Sequence, residues 1–264
     1  MTTGVTVTAD DFGLCPEVNE AVCLLHDRGV VQRTCFMVTT AHFASSVEAL
    51  LRRPALDVAI HLDLTDGRPV LPAAAVPSLV NRNACFRGGR HYGVLARIIA
   101  GLMSRREIRA EWRAQIAAAL GAGIEIKQLT SHGHVHLLPQ LRGVVLDLVE
   151  EFAIPQLRVV RSGESVRGLL LRACSTGLVE AATRRGLWVA GADRIIGLGH
   201  PGSINRQRLF TALSSARGGT VELIVHPAAG HNDYHRRWGY SGEEEMRTLL
   251  SEETARLLHQ VRSR

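Results

Sequence analysis

The chain alternates short β-branched runs with amphipathic stretches, and this alternation restricts the fold more than any other feature of its 264 residues. "GVTVTA" at 4–9, "TCFMVTT" at 34–40, "LDVAIHLDLT" at 56–65, a run from 126, residues 157–160 and "TVELIVH" at 220–226 read as buried strands. Helical patterns lie between them. Val18, Ala21, Val22 and Leu25 follow Pro16; 42–51 is the next; Ile108, Trp112, Ile116 and Leu120 mark another. Residues 139–152, 175–185 and 207–215 continue the series, and Met246, Leu249, Leu250, Leu257, Leu258 and Val261 close it. Strands joined through helices pair in parallel, so the expected class is α/β with parallel strands. From about 66 to 104 the rhythm breaks at Pro69, Pro72, Pro77 and Gly88-Gly89, which reads as a cap inserted into a single domain of residues 1–264. Within it Val94, Leu95, Ile98, Ile99, Leu102 and Met103 recur at helical spacing, as either core or a stripe able to touch lipid.

No glycine-rich phosphate loop follows any strand. The formal charge of +6 comes from arginine, and it suits an anionic substrate, a membrane face or plain solubility. Aromatics at 5% and the lack of a reading motif argue against nucleic acid. Cys15, Cys23, Cys35, Cys85 and Cys174 are odd in number and form no CxxC, as expected of thiols in a reducing compartment. Without a signal-like start or an apolar run of about 20 residues, the expectation is a cytoplasmic protein.

Four polar features stand where strands run out: Asp10-Asp11, His61, His132/His134/His136 and His226. In a parallel sheet all such ends lie on one face, where active sites form. His61 alone reads more readily as a structural side chain than as a ligand. "SHGHVH" says more, because in an extended chain its three imidazoles would share one side. "DDFG" evokes the kinase magnesium motif, but no glycine-rich loop or His-Arg-Asp loop accompanies it. Asp10 could also cap the helix near Pro16. Two adjacent carboxylates repel each other, and a metal is the simplest cation to hold them. Imidazoles with one carboxylate suit Zn²⁺ with an open position for water. The second aspartate is then free as a base, and His226 could serve as an acid. A non-haem Fe(II) triad uses similar ligands, but usually on antiparallel folds. A non-catalytic binding protein is the remaining alternative.

"TADDFGLCPEVNEAV", "IHLDLTDGRPV", "SHGHVHLLP" and "IVHPAAG" together resemble the YdjC-like carbohydrate deacetylases, in the same order from residue 5 to about 230. "RPVLP", "NACFRGG" and "IIGLGHPGSINRQRLFTAL" are more similar to the branch associated with hopanoid biosynthesis than to the chito-oligosaccharide branch. The resemblance implies an irregular (β/α) TIM-like barrel and metal-dependent removal of acetyl from an N-acetylated sugar. It implies Asp11, His61 and His132 as metal ligands, for Zn²⁺ first and Mg²⁺ or Co²⁺ next. It implies Asp10 as base, His226 as donor of the proton to the leaving amine, and His134 and His136 as lining. The substrate would be an N-acetylglucosaminyl group on a hopanoid lipid, with peripheral contact at the inner membrane face, or a chito-oligosaccharide. A homodimer through the cap is compatible with it. Arg158 and Arg161 are candidates for substrate contact. Thr130-Ser131 depart from the acidic residue or Asn that many members carry there. Neighbouring side chains on a strand face opposite ways, so Asp10 and Asp11 can share a site only if the strand ends at the pair and turns through Phe12-Gly13.

Overall fold

A computed structural model describes residues 4–87, 91–162, 166–187, 189, 191–214 and 219–262. Six strands form one parallel sheet that curls into a half-barrel: β1 (Gly4–Phe12), β2 (Arg33–Phe36), β3 (Asp57–Leu62), β4 (Ile126–Ser131), β5 (Arg194–Ile196) and β6 (Thr220–Val225). Their order is β4-β3-β2-β1-β6-β5, with β1 central. β1 reads as an almost continuous buried run because both faces of the sheet are covered. Val5, Val7 and Ala9 belong to the apolar core, whereas Thr8 and Asp10 belong to a polar interior.

Helices follow the strands as the alternation requires. α1 (Pro16–Asp27) begins on a proline, whose fixed φ and missing N–H suit a first turn. α2 (Phe43–Leu51), α3 (His91–Ile99), α4 (Arg105–Gly121), α5 (Arg142–Glu151), α6 (Val166–Arg184) and α7 (Arg206–Ser214) come next. α8 (Asp233–Trp238), α9 (Gly242–Leu250) and α10 (Glu252–Arg262) follow β6. No helix among the described residues is long and apolar enough to cross a membrane.

The stretch that follows β3 is fastened by one polar stripe of α4. Glu111 accepts the backbone N–H groups of Val70 and Leu71 (2.9 and 3.0 Å), and Glu107 accepts that of Ser78 (2.7 Å). Gln115 accepts from Asp63 N–H and donates to Asp63 carbonyl (2.9 and 2.8 Å). Residues 107, 111 and 115 lie one turn apart, so one helix face satisfies a loop whose own β pairing, among the described residues, is the single bridge Val80↔Phe86. Val94, Ile98 and Met103 of the expected stripe are core, while Ile99 and Leu102 are exposed.

Three expectations change. The barrel is not closed by strand pairing among the described residues: beyond β4 the chain makes only the bridge Leu129↔Leu157 where a strand at 157–160 was expected. Pro155, which has no N–H to give a ladder, stands just before it. The three-residue β5 is too short to show a period in sequence. The histidine run is not extended either. β4 stops at Ser131, and His132–Leu137 forms a 3-10 turn with Gly133 and His134 at φ 66° and 60°. Glycine admits that conformation freely, and Ser131 Oγ closes the turn by accepting His136 N–H (2.9 Å).

Candidate active site

Both aspartates are buried at a bulge of β1, not at a strand end. From the pair Ala9↔Thr34 to the pair Phe12↔Phe36, β1 advances three residues while β2 advances two. The extra residue turns the next side chain round, as β-bulges do. Asp11 carries the turn at φ 68°, a left-handed value that Asp tolerates better than most residues. β1 therefore continues to Phe12, and the expected strand end at Asp11 is replaced by this kink. Gly13 completes it at φ 95°, where a Cβ would lie 2.5 Å from Met37 O.

Asp11, His61 and His132 then converge. Asp11 Oδ1 lies 2.8 Å from His132 Nδ1 and 3.2 Å from His61 Nε2, and the two imidazoles stand nearly perpendicular. One donor atom from each residue falls within 4.8 Å of the others, and all three residues are buried. Asp11 Oδ2 and His61 Nδ1 are buried without a hydrogen-bond partner. Two imidazoles and a carboxylate with spare lone pairs at this spacing fit a divalent ion with an open position. Burial opposes ionisation of Asp11, but His132 and His61 outweigh it and hold the carboxyl well below its usual range. Burial likewise opposes charge on His132, yet Asp11 raises it to about 9.

Asp10 belongs to a different set. Arg158 Nη1 bonds both its oxygens (3.0 and 2.9 Å), while Nη2 reaches Glu222 Oε1 (2.9 Å) and Cys35 Sγ (3.2 Å). Thr8 Oγ1 also donates to Glu222 (2.9 Å). Arg158 has no exposed surface, so the substrate contact expected of it is replaced by a supporting role beneath Asp10. Asp10, Cys35 and His61 are also close enough for a metal, but the guanidinium already lies on two of those donors. Burial raises the Asp10 carboxyl, and Arg158, His61 and His226 more than offset this, leaving it below its ordinary value.

Asp10, His61, His132, His134 and His226 line one cavity with about 20 Å³ of free space, room for a single water. His136 does not join them. It is fully buried, its Nδ1 on Ser131 Oγ (2.8 Å) and its Nε2 on Arg158 carbonyl (2.9 Å), so it supports the floor instead of lining the site. Ser131 is thus its partner. Arg161 is exposed and donates to Val189 carbonyl (3.4 Å), away from the cavity lining. Sequence reasoning missed Arg167 and Tyr240, which line the cavity, and Trp238, whose ring lies 4.7 Å from that of His132. It also missed Glu245, which accepts the N–H of His226 (2.5 Å). Arg167 opens a helix and the other three follow the last strand, where no strand-end rule points to them.

The profile of the YdjC-like protein family matches residues 4–260. A carbohydrate deacetylase of Oceanobacillus iheyensis is 28% identical over 249 residues, covering 94% of this chain and 96% of that protein. One of Brevibacillus brevis is 37% identical, but the match spans 56% of each chain. A chitooligosaccharide deacetylase of Yersinia enterocolitica is 33% identical over 62% of each. A crystal structure from Enterococcus faecalis V583 superposes with a TM-score of 0.79 at 25% identity, covering 99% of this chain and 96% of that one. With nearly the whole described chain under one profile and the same fold at full length, the chain belongs to the YdjC-like protein family.

Proposed function

We propose that the chain is a metal-dependent hydrolase that removes acetyl from an N-acetylated amino sugar. The observation that carries this reading is the convergence of Asp11, His61 and His132, of which His61 and His132 line a water-sized cavity together with Asp10 and His226. Deacetylase relatives of the same family support the substrate class. Asp11, His61 and His132 would hold a divalent ion, zinc by its donor set, which when bound polarises a carbonyl and lowers the pKa of water. Asp10 lies beside that set, tethered by Arg158 in ionised form, and takes the proton of the attacking water. A crevice of about 560 Å³ adjoins the cavity through Gly197 and Leu198, enough for the body of a sugar substrate.

The test is acetate release from N-acetylglucosaminyl glycolipid and from chitobiose, with and without Zn²⁺. Asp10→Asn should lower kcat by about 10²–10⁴-fold with metal content unchanged. Full activity in Asp10→Asn, or activity indifferent to chelation, would sink the mechanism. The lipid-linked substrate is favoured by one further feature. Val166, Leu169 and Leu170 are 77%, 52% and 64% exposed, beside the cavity-lining Arg167. A higher kcat/KM for the glycolipid than for chitobiose supports that choice, and the reverse order favours the oligosaccharide.

A further inference from the structure

We propose that His226 acts as a neutral hydrogen-bond donor through Nε2, fixed in that tautomer by the Gly202 N–H, and that Asp10 moves the proton in both directions. The inference rests on the hydrolytic reading above but assigns the acid differently.

His226 follows the last residue of β6, and its Nδ1 accepts a hydrogen bond from Gly202 N–H (3.3 Å). A ring nitrogen that accepts an N–H carries no proton, so the ring proton sits on Nε2. Nε2 has no hydrogen-bond partner among the described residues, and the ring lines the reaction cavity with Asp10, His61 and His132. An imidazolium would set its Nδ1–H against the Gly202 N–H.

That N–H is held from several sides. Gly202 has φ 67°, and a Cβ there would lie 2.1 Å from the Tyr240 ring. Its carbonyl accepts Ser241 N–H (2.6 Å). The Tyr240 ring also meets His226 edge-on at 4.9 Å. The two oxygens of Glu245 accept the N–H groups of His226 and Ile204 (2.5 and 2.7 Å), so the histidine and the loop that sets its tautomer share one anchor. A donor held this firmly suits an oxygen that gains charge during reaction.

The proton balance then runs through Asp10. Asp10 takes a proton as the water oxygen bonds to the acetyl carbon, and the carbonyl π pair moves onto oxygen, which accepts from Nε2–H. When that pair returns, the C–N bond breaks and the Asp10 carboxylic acid protonates the amine. Acetic acid and free amine leave, Asp10 is again a carboxylate, and His226 has neither gained nor lost a proton.

The decisive measurement is ¹⁵N NMR of histidine-labelled protein, with His226 assigned by loss of its signals in His226→Gln. The expected result at neutral pH is a protonated, pyrrole-type Nε2 and an unprotonated, pyridine-type Nδ1, with and without Zn²⁺. A protonated Nδ1, in either the other tautomer or the imidazolium, overturns the proposal. Kinetics give a second readout. His226→Ala should lower kcat by about 10²–10³-fold, and His226→Gln, whose amide donates without exchanging a proton, should regain about tenfold of that. Equal loss in both variants tells against it. Absence of acetate release by the wild type would count against the deacetylase reading, whereas the tautomer is decided by the NMR signal alone.

Discussion

Arg158 is the residue on which the polar interior depends. Its guanidinium is sealed between Asp10 and Glu222, with no surface of its own exposed. Breaking a buried pair from one side leaves an uncompensated charge, which costs more than the pair contributes. Arg158→Leu should therefore lose about 3–5 kcal/mol in urea unfolding, with two carboxylates left unpaired. Adding Glu222→Leu should recover part of that loss, because one stranded charge is removed. If the double variant is no more stable than the single one, the two residues are not coupled as the geometry states. The sequence showed Arg158 only as an arginine within the short run 157–160. Its partners lie 148 and 64 residues away, so only the curled sheet brings them together. The nearness of Asp11, His61 and His132 was legible for the opposite reason, since each stands within a residue of the C-terminal end of a strand and parallel strands put all such ends on one face. The left-handed turn at Asp11 was not, because a bulge is a matter of register between two strands.

At the scale of elements, the alternation in sequence was sufficient to place β1, β2, β3, β4 and β6 and most of the helices between them. It failed where an element is short or is set by its neighbours, as in β5 and the 3-10 turn of His132–Leu137. α9 is the helix whose functional part was least visible. Its Glu245 faces the end of β6 and the 202–204 loop, buried, and burial raises its carboxyl to about 7 despite the two N–H groups it accepts. A carboxyl raised from 4.5 to about 7 in the folded state binds a proton more tightly there than in the unfolded chain. Its favourable contribution is complete below the unfolded pKa, declines as pH rises between the two values, and is gone above the folded one. The shift corresponds to about 3 kcal/mol. Unfolding free energy of the wild type relative to Glu245→Gln should accordingly fall by about that amount from acid to neutral pH. A difference that stays flat across this range would show that the carboxyl titrates normally and that α9 does not hold it dry.

For the whole molecule, part of the uncovered apolar surface is grouped, although Leu51, Val70, Leu120 and Leu250 are exposed on other elements. Val166, Leu169 and Leu170 fall at i, i+3 and i+4 on the first turns of α6 and share one face. Ile99 and Leu102, 56% and 58% exposed, end the α3 region, and α3 and α6 both pack against the histidine turn. Every charged residue in 91–106 and in 166–179 is an arginine: Arg97, Arg105, Arg106, Arg167 and Arg172. Exposed leucines among cations are the surface expected of a protein that rests on anionic lipid, which supports the lipid-linked substrate proposed above. The protein should then sediment with anionic vesicles, less with neutral ones, and less again as salt rises. Leu169→Ser with Leu170→Ser removes about 2 kcal/mol of apolar transfer, about thirtyfold in partitioning. Hydrolysis of a water-soluble acetylated sugar should be unaffected in that variant, since neither leucine lines the reaction cavity. Equal binding to neutral and anionic vesicles would remove the role given to the arginines, and unchanged binding by the double variant would remove the role given to the leucines. A loss of vesicle binding together with a fall in glycolipid turnover, at constant turnover of the soluble sugar, would tie the patch to delivery of the substrate and not to the chemistry.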